Sequence, residues 1–249
     1  MLWFCVSALH CSPTSAGFTN SLHFVVDWGW RAIASLAESI WEGYTELLAN
    51  ARSPTMKSDE SGNSIKRELK SQISILGGFV LLMWIVEIVD TVIFNRYLDT
   101  YGIRPRDLIG LRGIVFAPFL HGNFPHLIAN TIPFVSLGWF VMLREIRNFW
   151  AVTLVTMLVG GLGTWLIGAP GLHIGASGLI FGYLGYLLSR GYFDRSFTAM
   201  FLSVVVAFLY GGMLWGVLPA QPGISWEGHL FGFLGGVLAA RWLSKRSLG

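Results

Sequence analysis

Residues 73–94 read ISILGGFVLLMWIVEIVDTVIF, an apolar run broken only by a few small or polar residues and the two carboxylates Glu87 and Asp90. An α-helix needs about 20 predominantly apolar residues to cross a bilayer, so this stretch reads as a membrane span. Further apolar stretches follow at about 124–143, 149–167, 177–189, 197–218 and 226–243, separated by short polar breaks. The fourth of these is short. Six helices alternating in direction are the most economical reading, and they predict an all-α polytopic membrane protein. The composition agrees. Of 249 residues, 53% are hydrophobic and 12% are charged, where a soluble domain carries about 25% charge. The mean hydropathy is +0.59. Eleven Trp within a 14% aromatic content suit rings held at membrane interfaces. The 30 glycines suit helices that approach each other closely.

The net charge is +3 and the pI near 9.0. In a soluble protein that balance would suggest nucleic acid. Here the positive charges sit in short loops between apolar spans, so they report topology instead. Lys57, Lys66, Arg67 and Lys70 precede the first span; Arg144 and Arg147 follow the second; Arg190 and Arg195 follow the fourth; Arg241, Lys245 and Arg246 close the sixth. With alternating helices all of these fall on one side. Arg96, Arg104, Arg106 and Arg112 fall on the other. The majority side is expected to be cytoplasmic, with both termini inside, in the simplest case at a prokaryotic plasma membrane. The starts of the fourth and sixth spans then face outside. The two cysteines, Cys5 and Cys11, match no metal-ligand spacing and no disulfide framework. No metal, no cofactor and no nucleic-acid partner are expected.

Residues 1–60 form a separate extension. Trp28, Trp30, Ile33, Ala37, Trp41, Tyr44 and Leu48 recur at helical spacing, as in an amphipathic helix on a membrane surface. Residues 53–64 read as a polar linker. Met56 opens MKSDESGNSIKRELK, a natural start for a membrane protein, so the residues before it are alternatively a start-site artefact. The first loop, 95–118, is long and moderately apolar and is expected to fold partly into the outer leaflet.

Polar side chains inside a bilayer are costly and call for a reason. Three clusters stand out: His121 to Asn130, with His126 between them; Gly175-Ala176-Ser177-Gly178; and Gly228-His229-Leu230-Phe231-Gly232. Ser177 sits where a polar loop enters the fourth span. Gly175 and Gly178 beside it leave room for a substrate backbone. A helix start also offers free backbone N–H groups and the positive end of the helix dipole. A serine there serves equally well as an ordinary N-cap. His229, near the start of the sixth span, falls at the same outer level and can act as the base that a serine nucleophile requires. Gly178 and Gly182 on the fourth span, and Gly228, Gly232 and Gly236 on the sixth, repeat every four residues. Such small faces let two helices come close. His126 and Asn130 share a face of the second span. They read either as donors to a tetrahedral oxyanion or as a polar clasp between helices, and His121 as a structural group fixing the first loop. No acid suits a third position. Glu227 points elsewhere on its helix, Glu87 and Asp90 lie on the first span, and Glu145 and Asp194 belong to the inner loops. A Ser177–His229 dyad is the resulting expectation.

These three clusters, in this order on six spans, resemble the rhomboid family of intramembrane serine proteases, from about residue 73 to the C-terminus. The resemblance implies a six-transmembrane-helix rhomboid-like bundle, a protease domain over 73–243. It implies Ser177 as nucleophile and His229 as base, with an oxyanion hole of His126, Asn130 and the Ser177 backbone N–H. Gly175 stands at the family's glycine before the serine. Two positions depart from the family pattern. Leu111-Arg112-Gly113 stands where many members carry Trp-Arg, and Phe181 stands where many carry a tyrosine stacked on the histidine. The expected activity is hydrolysis of transmembrane-helix substrates near the outer membrane face, with the bilayer and single-span or polytopic membrane proteins as partners. The fifth span, or the loop 219–225, is expected to move to admit substrate. The rival class is a non-proteolytic client-binding or transport protein on the same fold.

Overall fold

The computed structural model describes residues 58–219 and 223–246 and is all-helical over them. The amphipathic helix expected within 1–60 and residues 53–57 of the expected linker lie outside the described residues. Seven α-helices are present among the described residues. Six are long: α1 Ser58–Val92, α2 Phe124–Met142, α3 Ile146–Ile167, α4 Ser177–Asp194, α5 Phe197–Tyr210 and α6 Trp226–Arg246. The seventh, Gly113–Phe116, lies among 3-10 turns in the first loop. The helix α1 starts earlier than the polar linker reading allowed, so residues 58–64 are helical. No proline interrupts them. The chain divides into two compact units, and the one described below begins at Ser71.

Four helical segments, Ser64–Val92, Phe124–Met142, Ile146–Ile167 and Phe197–Val217, are long and apolar enough to cross a membrane. The fourth of these reaches past Tyr210 because α5 continues into the 3-10 stretch Gly211–Val217. The helices α4 and α6 fall short of that composition, and the packing shows why. Leu179 to Leu187 of α4 are buried without a break. A helix surrounded by protein has no need of an apolar face toward lipid. By contrast α5 buries only Ala199, Leu202 and Val206 and exposes Phe197, Phe201, Val204 and Phe208.

The α4–α6 contact is built on absent side chains. A Cβ at Gly232 would overlap the carbonyl oxygen of Gly178, and one at Gly236 would overlap that of Gly182. Gly160 of α3 also approaches the Gly232 backbone, where a Cβ at Gly160 would stand 3.3 Å from the Gly232 Cα. The expected small-residue faces thus bring backbones of three helices together. The part of α1 from Ser71 onward packs by aromatic contact, with the Phe79 ring against Phe119, Phe134, Phe149 and Trp150, and by the indole bond from Trp139 Nε1 to Gln72.

The first loop is tied down rather than loose. Ile103 and His173 exchange backbone hydrogen bonds at 3.0 Å. Arg106 donates to the carbonyls of Leu166 and Gly168, and Trp165 Nε1 donates to the Asp107 carbonyl. Arg112 lies 4.0 Å over the Tyr101 ring and donates to the Thr100 carbonyl. The loop therefore braces the α3–α4 connection, which leads directly into Ser177.

Candidate active site

Ser177 is the first residue of α4, and the N-cap position belongs to Ala176. The serine hydroxyl does not cap its own helix. It lies 2.9 Å from Nε2 of His229, which removes the N-cap reading. His229 occupies the first turn of α6 and is 7% exposed. Its other ring nitrogen, Nδ1, lies 2.9 Å from the Gly216 carbonyl oxygen. Phe181, one turn along α4 from Ser177, stacks flat on the imidazole, with centroids 4.1 Å apart and planes 8° from parallel. The departure from tyrosine thus keeps the stacking contact.

Gly175 has φ +113°, a conformation that favours glycine, and its N–H donates to the Ala117 carbonyl. A Cβ here would stand 2.7 Å from the His126 ring and 3.3 Å from Asn130 Nδ2. The missing side chain therefore leaves a gap that both groups edge. Asn123 caps α2 through its side chain, which accepts from the His126 N–H, and so fixes the start of the helix that carries both. Asn130 is buried, and its Nδ2 has no hydrogen-bond partner. His121 stands beside the serine turn, where its Nε2 accepts the Ala176 N–H at 3.4 Å. Burial, reinforced by neighbouring His126, lowers its pKa to about 3 and keeps the ring neutral. Its partner is thus the turn into α4, in addition to any effect on the first loop.

The residues expected at the site from sequence come together: Ser177 with His229 and Phe181, and His126 and Asn130 around Gly175, with Gly178 and Gly232 at the helix contact. The carboxylates take other work. Glu227 accepts the Ala169 N–H, Glu87 lies 3.7 Å from Arg96, and Asp90 accepts the Leu98 N–H. Among the described residues no cluster of His, Cys, Asp and Glu could hold a metal ion.

Sequence reasoning missed three contributors. Gly216 is one. The others are His173 and Ser225, whose Nδ1 and Oγ lie 2.6 Å apart. His173 precedes Ser177 by four residues and Ser225 precedes His229 by four. One turn before the Ser–His contact there is thus a second, with the residue types exchanged, joining the segment before α4 to the start of α6. That spacing was a usable signal. A cavity of about 50 Å³ lies behind Ser177, and Thr156, Thr164, His173 and Ser225 are among its lining.

The chain matches the Rhomboid domain over residues 110–246. It is 47% identical over 175 residues to an uncharacterized protein of Mycobacterium tuberculosis (strain ATCC 25618 / H37Rv), covering 67% of this chain and 72% of that protein. An uncharacterized protein of Mycobacterium leprae (strain TN) is 44% identical over 175 residues, covering 67% and 69%. RHOMBOID-like protein 4 of Arabidopsis thaliana is 30% identical over 149 residues, covering 52% of this chain and 35% of that one.

Proposed function

The chain belongs to the rhomboid family of integral membrane proteins, and from that premise we propose that it is an intramembrane serine endopeptidase acting through Ser177 and His229. The observation that carries this reading is the 2.9 Å contact between the Ser177 hydroxyl and His229 Nε2. It lies within the distance a general base needs to take the hydroxyl proton. In the proposed reaction the hydroxyl donates to Nε2 as the oxygen attacks a peptide carbonyl. The oxyanion forms in the gap beside Gly175, where Asn130 Nδ2, the His126 ring and the Ser177 N–H can donate to it. A buried donor without a protein acceptor is what such a site needs before substrate arrives. His229 then returns its proton to the leaving amine, and water cleaves the acyl-enzyme. The cavity behind Ser177 has room for such water, since one molecule needs roughly 10–15 Å³.

The reading includes six spans rather than four. The 18 residues of α4 reach about 27 Å at 1.5 Å per residue, close to the thickness of a hydrocarbon core. Its modest hydropathy is met by neighbouring helices on most sides. The substrate class is a transmembrane helix that unwinds near its outer end, because an intact helix keeps its carbonyls hydrogen-bonded. The sparsely buried α5 is the element best suited to move aside.

The test is cleavage of a single-span substrate in liposomes by the purified protein, beside Ser177→Ala and His229→Ala. Cleavage by the wild type alone is the expected result, with each variant down by about 10⁵-fold or more. Undiminished cleavage by Ser177→Ala overturns the mechanism. No cleavage by any of the three, across several substrates, moves the reading to a client-binding protein.

A further inference from the structure

A histidine that serves as general base must present an unprotonated nitrogen to the hydroxyl, and a group on its far side decides which nitrogen that is. In many serine hydrolases that group is a carboxylate. Here the nearby acid, Glu227, is engaged with the Ala169 N–H. The group at Nδ1 of His229 is the carbonyl oxygen of Gly216, at 2.9 Å. A carbonyl can only accept. Nδ1 therefore carries the proton, and Nε2 is the bare nitrogen facing Ser177 Oγ.

We propose that Gly216 is a positioning residue for His229, its main-chain carbonyl orienting the base as a triad acid does elsewhere. This rests on the Ser177–His229 reading given above. The residue type follows from the packing. A Cβ at position 216 would stand 2.8 Å from Phe181 Cζ and 3.4 Å from His229 Nδ1. Only glycine lets the carbonyl reach the ring edge while Phe181 covers the ring face. The choice of a carbonyl also suits the surroundings. An ionised acid inside a membrane protein carries a large desolvation cost, whereas a peptide dipole fixes the tautomer without burying a charge. Gly216 belongs to the 3-10 stretch Gly211–Val217 that continues α5. The base is thus aligned from a third helix, distinct from α4 with its serine and from α6 with its histidine.

Two measurements test this. The first reads the unsubstituted site and needs no activity. In ¹⁵N-histidine spectra of the protein in detergent, with the His229 signals identified by their loss in His229→Gln, the neutral ring is expected as the Nδ1–H tautomer. An Nε2–H tautomer, or an even mixture, overturns the proposal. The second compares Gly216→Ala with Gly212→Ala, a position in the same 3-10 stretch with nothing within 4 Å of an added Cβ. Gly216→Ala is expected to lower kcat about 100-fold, the usual cost of displacing a catalytic group by about 1 Å, with KM within about twofold. Labelling of Ser177 by a fluorophosphonate should slow in parallel. Gly212→Ala is expected to keep both rates. Wild-type kcat in Gly216→Ala, or equal losses in the two variants, overturns the proposal. If the wild type cleaves nothing, the protease reading fails, while the tautomer still reports on Gly216 by itself.

Discussion

Asn130 is a buried amide whose Nδ2 hydrogens meet no acceptor in the protein. Leaving such a donor unpaired costs roughly 1–3 kcal/mol, so the resting protein is destabilised at the point where an oxyanion would repay it. A residue held only by packing needs would not be arranged this way. Substitution should therefore separate activity from stability. Asn130→Leu, which keeps the branched shape of the side chain and removes its polar atoms, is expected to lower kcat by about 10²–10³-fold while Tm stays level or rises. Kinetics and thermal unfolding on the same preparation check it, and a Tm loss matching the activity loss would mean a structural clasp. Ser177, His229, His126 and Asn130 were legible in the sequence because polar side chains in apolar runs demand explanation. Gly216 was not, because its contribution is a carbonyl that every residue type carries. Its glycine becomes informative only once Phe181 and His229 are seen on either side of it.

At the level of elements, the α4–α6 contact leaves no room for a methyl group. A Cβ at Gly236 would meet the Gly182 carbonyl and also the Tyr186 nitrogen at 2.7 Å. Both are helix backbone, which cannot rotate away as a side chain can. Gly236→Ala is expected to destabilise by about 1–3 kcal/mol or more and to reduce labelling of Ser177, because the helices carrying Ser177 and His229 must separate. Gly77→Ala, with nothing within 4 Å of the added Cβ, should be neutral or slightly stabilising. Thermal unfolding of both variants checks this, and an unchanged Tm in Gly236→Ala would show that the helices can shift cheaply. The glycine spacing announced this contact in advance. The starts of α2, α4, α5 and α6 were also legible from apolar onset, while their ends were less so. The helix α4 runs to Asp194 rather than 189, because Arg190 stays in register to reach Asp194 at 2.9 Å. The fifth apolar run becomes α-helix and then a 3-10 stretch, a change that hydropathy does not register. The His173–Ser225 tie escaped because each residue looked like a loop residue until the fold paired them.

On the scale of the whole molecule, the two ends of the bundle hold charge differently, and each makes a prediction. At one end Asp194 takes Arg144 at 2.7 Å and Arg190 at 2.9 Å, a carboxylate matched by two cations. At the other, Arg96 lies 3.7 Å from both Glu87 and Asp99. Burial, followed by the charge of Asp90, raises the Asp99 carboxyl from its usual 3.8 to about 6, and Arg96 only partly opposes this. A raised folded-state pKa gives stability that is complete below the unfolded value near 3.8 and is lost as pH rises through 6. The wild type should therefore gain Tm relative to Asp99→Asn as pH falls from 7.5 to 5, with the variant the more stable at pH 7.5. A constant difference across that range would assign Asp99 no titration there. Which end faces outward is a separate question; from the charge count we propose that Arg104, Arg106 and Arg112 lie outside and Arg144, Arg147, Arg190 and Arg195 inside. Leu108 in the first loop is 77% exposed, and Arg195 after α4 is exposed at the other end. In a background with Cys5→Ser and Cys11→Ser, a membrane-impermeant maleimide added to intact cells should label Leu108→Cys and spare Arg195→Cys until the membrane is opened. The reverse pattern would invert the protein and put the Ser177 end toward the cytoplasm, so that substrates would be cut on their inner side.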